Sequence, residues 1–278
     1  MRRRDFLGKA AVAGAGLVAG AGIIEELNQT GVLPIEQADW ASTIAPELER
    51  GNASVWWSAD PSVGRRVALT FDDGPTTQFT AHVLDVLSGA GVRATFFVVG
   101  ELARRHRDLL QRIHDAGHEI GNHTDDHVSA AASSHSHVRD AVLRCSDTIE
   151  QLTGRRPRWY RPPRGEITTA SLLAARKALL DVAMWSVGRG DAPDADSAGV
   201  AQHLLTAVHP GAVVDLHDGI GRSSWVGSPD DQLIRRRAAE ITALPQVLAG
   251  WKDSGYTFTT LSELVPAPGP GRTPPSPA

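Results

Sequence analysis

The chain has 278 residues, of which 41% are hydrophobic and 22% are charged, as is usual for a globular protein. Its 28 basic and 32 acidic residues give a net charge of −4, and no basic segment is interleaved with aromatic residues, so we expect no nucleic-acid partner. Cys145 is the only cysteine, which excludes an intramolecular disulfide and a cysteine-rich metal site.

Residues 1–28 predict an export signal. The adjacent pair Arg3 and Arg4 precedes an apolar run, Ala10–Ile24, which is rich in Ala and Gly and shorter than the ~20 residues of a membrane span. The pattern is similar to a twin-arginine signal, which implies the twin-arginine export machinery as a partner. We therefore expect a protein exported across the cytoplasmic membrane to an extracellular, periplasmic or cell-envelope location. An uncleaved membrane anchor is the alternative.

Two further segments flank the main domain. Residues 29–64 mix Pro, Asn, Ser and Trp without a sustained period and predict a connector packed on that domain. Its tryptophans Trp56 and Trp57 could stack on a sugar or be buried, and burial is the commoner outcome. Residues 265–278 are rich in proline, which prevents helix formation and predicts a disordered tail.

Residues 65–264 alternate short apolar runs with longer segments of helical period. The predicted strands are Arg66–Phe71, Ala94–Val99, His118–His123, Arg158–Pro163, Asp181–Val187, Gly211–His217 and Tyr256–Thr260. The predicted helices lie around Thr80–Ser88, Leu102–Asp115, Ser133–Leu152, Thr169–Leu180, Ser197–Val208 and Arg235–Asp253. This alternation predicts an α/β domain with about seven parallel strands, either a closed or nearly closed β/α barrel or a doubly wound open sheet.

Polar clusters follow five of the predicted strands. They are DDGP, NHTDDH, RPPRG, GRGD and LHDG, which begin at residues 72, 122, 161, 188 and 216. Each alone is an ordinary turn sequence. Because ligands and catalytic groups gather at the carboxyl ends of parallel strands, we expect the five clusters to share one rim.

A metal site is the sharpest hypothesis for this rim. His123 and His127 are four residues apart, a spacing that can bring two imidazoles to one side of a helical turn. With Asp73 as a third ligand they would form a common catalytic metal set, and Asp72 would remain free as a base. Arg161 could orient Asp72 through a bidentate pair. The alternatives are a chance histidine pair on a solvated turn and a plain surface arginine.

Four motifs in order carry a family resemblance. They are T-F-D-D-G-P at Thr70–Pro75, H-T-x-x-H at His123–His127, R-x-P-x-G at Arg161–Gly165 and L-H-D at Leu216–Asp218. From Arg65 to Leu264 the chain resembles the polysaccharide deacetylase family, which carries the NodB homology domain. The resemblance implies a distorted, incomplete (β/α) barrel and a metal-dependent hydrolase that removes N- or O-acetyl groups from carbohydrates.

The resemblance also implies roles for particular residues. Asp72 would be the general base and His217 the general acid, while Asp73, His123 and His127 would bind one divalent metal ion. Zinc is the first expectation for that ion, with cobalt, manganese or nickel as alternatives. We further expect a monomer that acts on an acetylated polysaccharide or oligosaccharide, most often at N-acetyl groups.

The remaining implied roles fall at positions where the chain partly departs from the family pattern. Arg161 would orient the base, Asp191 would tune the acid, and the backbone N–H of Arg164 would bind the oxyanion. Arg164 replaces a frequent aromatic residue, and Ala192 replaces the usual tryptophan after Asp191. Asp215 stands where leucine is usual and could face the site or pair with a nearby arginine.

Two other function classes remain open. One is a hydrolase of a non-carbohydrate linear or cyclic amide on the same fold, which the altered groove positions would allow. The other is a non-catalytic sugar-binding protein, against which the intact Asp73, His123 and His127 argue.

Overall fold

The computed structural model describes residues 54–189, 196–221 and 231–265. The predicted export signal, most of the predicted connector and all of the predicted tail except Val265 lie outside the described residues, as does Asp191. The described part of the chain forms one unit within residues 53–267.

The described residues form one sheet of nine strands. The strands are β1 (Val55–Trp56), β2 (Arg66–Asp72), β3 (Thr95–Val98), β4 (Glu119–Asn122), β5 (Trp159–Tyr160), β6 (Asp181–Ala183), β7 (Val187–Gly188), β8 (Val213–His217) and β9 (Thr257–Thr259). Their order is β1-β6-β5-β4-β3-β2-β8-β7, with β9 also paired to β2, and every strand pair is parallel. Helices connect most of the consecutive strands.

The sheet curls far enough to bring its two edges together. Strands β6 and β7 belong to opposite ends of the strand order, yet only residues 184–186 connect them. Three residues span little more than ~10 Å, so the edges must lie close to each other. An isolated bridge between Ser58 and Ala212 joins the same two edges. The fold is a distorted, incomplete (β/α) barrel, which confirms the predicted class and removes the open-sheet alternative.

Two strand assignments differ from the sequence prediction. The run Asp181–Val187, predicted as one strand, is divided into β6 and β7 because the chain crosses from one sheet edge to the other within it. Val55–Trp56 adds a strand that pairs with β6, so the sheet begins inside the segment predicted as a connector. Trp56 packs against the core from there, whereas Trp57 is 51% exposed.

Eight α-helices lie among the described residues. They are α1 (Thr80–Ala90), α2 (Gly100–Arg105), α3 (Arg107–Asp115), α4 (His135–Thr153), α5 (Thr169–Lys177), α6 (Ser197–Ala207), α7 (Asp231–Asp253) and α8 (Leu261–Leu264). The predicted helix Leu102–Asp115 is two helices, because His106 leaves the helical region at φ −117° and ψ 55°. None of the described helices combines the length and apolarity needed to cross a bilayer.

Strand β2 forms the centre of the core. Its side chains from Val67 to Asp72 are all buried, as expected for a parallel strand covered on both faces. It pairs with β3 on one side and β8 on the other, and the ladder places Asp72 opposite both Phe97 and His217. The carboxyl ends of these strands therefore carry their polar residues to one rim.

Candidate active site

The polar strand ends meet around one cavity of about 420 Å³. Its lining includes side chains from the ends of β2, β4 and β8, together with the loop after β5. Among these residues are Asp72, Asp73, His123, His127, Arg164, Trp185 and His217. The expectation of a shared rim is confirmed for all the clusters except GRGD, which lies partly outside the described residues.

The backbone separates the two adjacent aspartates. Asp72 ends β2 in the ladder, but Asp73 adopts φ 77°, in the left-handed region, so its carboxylate leaves in a different direction. The carbonyls of both residues are held by the loop after β8, with Asp218 N 3.0 Å from Asp72 O and Gly221 N 3.2 Å from Asp73 O. Gly219 permits this approach, because a Cβ there would lie 2.0 Å from Asp73 O.

Asp73, His123 and His127 form the one cluster of possible metal ligands found among the described residues. Asp73 Oδ1 lies 3.0 Å from His127 Nε2 and 3.3 Å from His123 Nε2, and the ligand atoms all fall within 4.8 Å of one another. The two histidines belong to the loop after β4, where His127 has φ 53°. The expected helical turn is therefore wrong, although the two imidazoles do converge.

A buried asparagine shapes this histidine loop. Asn122 donates to Val142 O at 2.7 Å and to Ser146 Oγ at 2.9 Å, both on α4, and accepts from Thr124 N at 2.8 Å. Thr124 adopts φ 68° and accepts from Val128 N at 3.2 Å. The loop is thus fixed to the helix layer by an amide side chain that no solvent reaches.

Hydrogen bonding and charge favour a cation in the cluster. His123 Nδ1 lies 2.8 Å from Arg161 O, so it donates to that carbonyl and leaves Nε2 available as a ligand. Burial opposes a charge on His123, but the Asp72 and Asp73 carboxylates outweigh it and raise the histidine pKa. An environment that favours a proton on this imidazole also favours a metal ion. One carboxylate and two imidazoles suit zinc and similar divalent ions, so the residues present fit the expected group.

Arg161 is fully buried, so the surface-arginine alternative is wrong. Its Nη1 lies 2.8 Å from Asp72 Oδ1 and 2.9 Å from Asp215 Oδ1, while Nε and Nη2 donate to backbone carbonyls. The expected bidentate pair is therefore wrong in its geometry: one nitrogen serves two carboxylates. The contact with Asp72 is nevertheless the one that the sequence predicted.

The side chain of Asp215 faces the site. Its Oδ1 lies 2.9 Å from Arg161 Nη1, and its Oδ2 lies 3.9 Å from His217 Nε2. Burial and the neighbouring Asp72 raise the pKa of this carboxyl, whereas Arg161 and His217 oppose the rise. Asp215 thus places a titratable carboxyl beside the histidine, which a leucine could not.

Helix α7 contributes two residues that the sequence analysis missed. Glu240 Oε2 lies 3.0 Å from His217 Nδ1, and Arg237 Nη2 lies 2.9 Å from Asp73 Oδ2. The i,i+3 spacing of Arg237 and Glu240 places both on one helix face. That spacing was the only available signal, and it is common on solvated helices, so it could not have identified them.

Electrostatics differ between the two ends of the cavity. At one end, burial opposes ionisation of Asp73, but His123, His127 and Arg237 hold its pKa well below the usual range. At the other end, burial and Arg237 disfavour the imidazolium of His217, but Glu240 and Asp215 outweigh them and raise its pKa to about 9. The cavity therefore holds a fixed anion, Asp73, and a group that carries a proton at neutral pH, His217.

Arg164 completes the rim. It lies in the short 3-10 turn Pro163–Gly165 with φ 59°, and it lines the cavity where the family often has an aromatic residue. Trp185, also missed by the sequence analysis, lines the same cavity, and its ring centroid lies 5.6 Å from the central carbon of the Arg161 guanidinium.

Comparison with known proteins gives a consistent result. The family model described as polysaccharide deacetylase matches residues 59–183. A peptidoglycan-N-acetylglucosamine deacetylase of Bacillus cereus is 33% identical over 214 residues, which cover 76% of this chain and 92% of the relative. A chitooligosaccharide deacetylase of a Bradyrhizobium species is 37% identical over 203 residues, covering 68% of this chain and 93% of the relative.

A solved structure extends the likeness to the fold. The Bc1960 peptidoglycan N-acetylglucosamine deacetylase, crystallised with an N-hydroxybenzamide compound, is 30% identical and matches with a TM-score of 0.67. The match covers 77% of this chain and 92% of that structure. The ordered motifs, the barrel and these relatives agree, and the chain belongs to the polysaccharide deacetylase family.

Proposed function

We propose that this protein is a metal-dependent deacetylase that hydrolyses N-acetyl groups on a cell-envelope or related N-acetylated polysaccharide. The observation that carries the proposal is that one cavity is lined both by the cluster Asp73, His123 and His127 and by His217. Asp72 lines the same cavity and lies opposite His217 in the β2–β8 ladder.

Each reacting group has a place in this arrangement. A divalent ion held by Asp73, His123 and His127 would act as a Lewis acid toward the acetyl group. Asp72, oriented by Arg161, accepts a proton from the attacking water, and the backbone N–H of Arg164 stabilises negative charge on the acetyl oxygen. His217 donates a proton to the departing nitrogen, so that acetate and a free amine result.

The substrate class follows from the relatives and from the cavity. The Bacillus cereus and Bradyrhizobium relatives act on peptidoglycan N-acetylglucosamine and on chitooligosaccharide, which share an N-acetylated hexosamine. Trp185 lines the cavity, and an aromatic ring at such a site can pack on a sugar, while carboxylates, imidazoles and guanidinium groups supply most of the polar lining. We therefore place N-acetyl ahead of O-acetyl groups.

Acetate release tests the proposal directly. Zinc-loaded protein is incubated with peptidoglycan, chitooligosaccharide and acetylated xylan, and released acetate is quantified with the Asp72→Asn variant as control. Release from the two N-acetylated substrates, lost in the variant, is the expected result. Equal release by the variant contradicts the base assignment, and release from xylan alone contradicts the N-acetyl preference.

The same experiment separates the alternatives. A pseudoenzyme of Bacillus anthracis, 24% identical, has a similar fold at a TM-score of 0.66, so the fold alone does not guarantee catalysis. Binding of chitooligosaccharide without acetate release would favour a sugar-binding role. Turnover of small linear or cyclic amides, with none of the polysaccharides, would favour the amide-hydrolase alternative.

The metal, the location and the oligomeric state complete the proposal. We propose zinc as the native ion, export by the twin-arginine machinery to the cell envelope or beyond, and a monomer. Metal analysis of protein purified without added metal tests the first. Secretion of an Arg3Arg4→Lys-Lys variant, which we expect to stop, tests the export route. Light scattering of the purified chain tests whether the protein is a monomer.

A further inference from the structure

A buried carboxylate on α7 contacts the proposed acid. Glu240 is 1% exposed, and its Oε2 lies 3.0 Å from His217 Nδ1. The other ring nitrogen, Nε2, lies 3.9 Å from Asp215 Oδ2, and His217 lines the cavity. A histidine that donates its Nδ1 proton to Glu240 therefore directs Nε2 toward the site.

The second oxygen of the same carboxylate is held by arginines. Glu240 Oε1 lies 3.3 Å from Arg237 Nη1 and 3.5 Å from Arg189 Nε. Arg237 is itself fixed, because its Nε donates to Gly219 O at 2.9 Å in the loop that follows His217. Glu240 is thus oriented from one side by guanidinium groups and presents its other oxygen to the imidazole.

This arrangement resembles a carboxylate–histidine pair, in which the carboxylate selects the tautomer and supports the charged ring. The family resemblance assigned such a role to Asp191, which lies outside the described residues. Resting on the proposed role of His217 as acid, we propose that Glu240 is the positioning residue that holds His217 with its Nδ1 protonated and Nε2 facing the leaving group.

Several charged groups face His217 among the described residues. Glu240 and Arg237 approach from α7, Asp215 from the same strand, and Asp73 from the turn after β2. Of these, Glu240 alone makes a hydrogen bond to the ring, so its removal is expected to change the imidazole more than the removal of Asp215. Neutralising a carboxylate at this distance shifts a histidine pKa by about one to three units.

Histidine NMR tests the proposal without relying on activity. Zinc-loaded protein with ¹⁵N-labelled histidine is titrated as wild type, as Glu240→Gln and as Asp191→Asn. In wild type we expect Nδ1 to carry the proton in the neutral ring, and in Glu240→Gln we expect the His217 pKa to fall by about one unit or more. His209, bonded to Pro210 O and Ser186 Oγ, serves as the internal reference.

Kinetics supply a second readout. In Glu240→Gln the basic limb of the kcat/KM profile is expected to move to lower pH by the same amount, with kcat reduced by about tenfold or more and KM little changed. In Glu240→Asp the His217 pKa is expected to lie between the values of Glu240→Gln and the wild type, because the carboxylate charge is restored.

The NMR results distinguish Glu240 from Asp191 as the residue that positions His217. An unchanged His217 pKa in Glu240→Gln, together with a lowered one in Asp191→Asn, overturns the proposal in favour of Asp191. If the glutamine variant fails to fold, the wild-type tautomer decides: a neutral ring protonated at Nε2 overturns the proposal, and one protonated at Nδ1 supports it. An inactive wild-type enzyme would contradict the proposed function but would leave the NMR result readable.

Discussion

The two flanks of the cavity are built differently. On the metal flank, Asp73, His123 and His127 come from two strand ends and one short loop, so each ligand belongs to a local motif. On the acid flank, His217 ends a strand, but its hydrogen-bond partner Glu240 comes from a helix more than twenty residues later. The reacting groups are therefore encoded in local sequence motifs, whereas the groups that orient them are brought into contact by tertiary packing.

Removing one ligand from the metal flank should have the largest effect. In His127→Ala two ligands remain, so we expect the metal to be lost on dialysis and acetate release to fall by a factor on the order of 10³ or more. Metal analysis and an acetate assay measure the two effects. His137→Ala is the matched control, since that side chain is 48% exposed and contacts Asp126. Full metal content in His127→Ala would break the assignment of this flank.

Asp72 is the proposed base and is not one of the metal ligands, so its replacement should slow the chemical step without removing the metal. We expect Asp72→Asn to reduce kcat/KM by about 10²- to 10⁴-fold while metal content stays at the wild-type level. The loss follows from removing the base, because the asparagine keeps the shape but accepts no proton. Asp85→Asn, at an exposed position, controls for surface charge. Simultaneous loss of the metal would show that Asp72 acts as a ligand.

Arg161 joins the centre to the acid flank, and its loss should appear as instability. Arg161→Met would leave Asp72 and Asp215 buried without their shared cation, at a cost of about 3–5 kcal/mol in the free energy of unfolding. Urea unfolding measures the change. Arg156→Met, which breaks only exposed ion pairs, should cost about 1 kcal/mol or less. Equal costs for the two variants would refute the buried role.

The raised pKa of His217 predicts a smaller effect, which is a fall of kcat/KM at high pH. Burial and Arg237 disfavour the charged His217 ring, but Glu240 and Asp215 favour it more strongly. The pKa of His217 is therefore raised to about 9. An acid must be protonated to donate, so kcat/KM should be retained below this pKa and should fall as pH rises through about 9. A pH–rate profile measures the limb. Its persistence in His217→Gln would assign it to another group.

Much of this site was predictable because its motifs end strands. A buried run such as Val67–Phe71 identifies a strand, and the polar residues after it identify the rim, so Asp72, Asp73 and His217 could be placed together. The conformation of the histidine loop could not, since it depends on Asn122 reaching Val142 on α4.

The residues missed share a physical reason. Arg237 and Glu240 lie in an amphipathic helix where charged residues normally face solvent, so only packing reveals that they are buried. The division of Asp181–Val187 into two strands likewise depends on where the sheet edges meet, which no local pattern records.

The register of β2 and β8 sets the distance between the two residues proposed as base and acid. Asp72 and His217 are partners in the ladder, and neighbouring strands lie about 4.8 Å apart, so the spacing between base and acid is fixed by backbone hydrogen bonds. A slip of one residue in this register would turn His217 to the face of the sheet opposite Asp72. Adapting this fold to a bulkier leaving group therefore requires changes in the loops around the rim, because the two reacting residues cannot be moved apart separately.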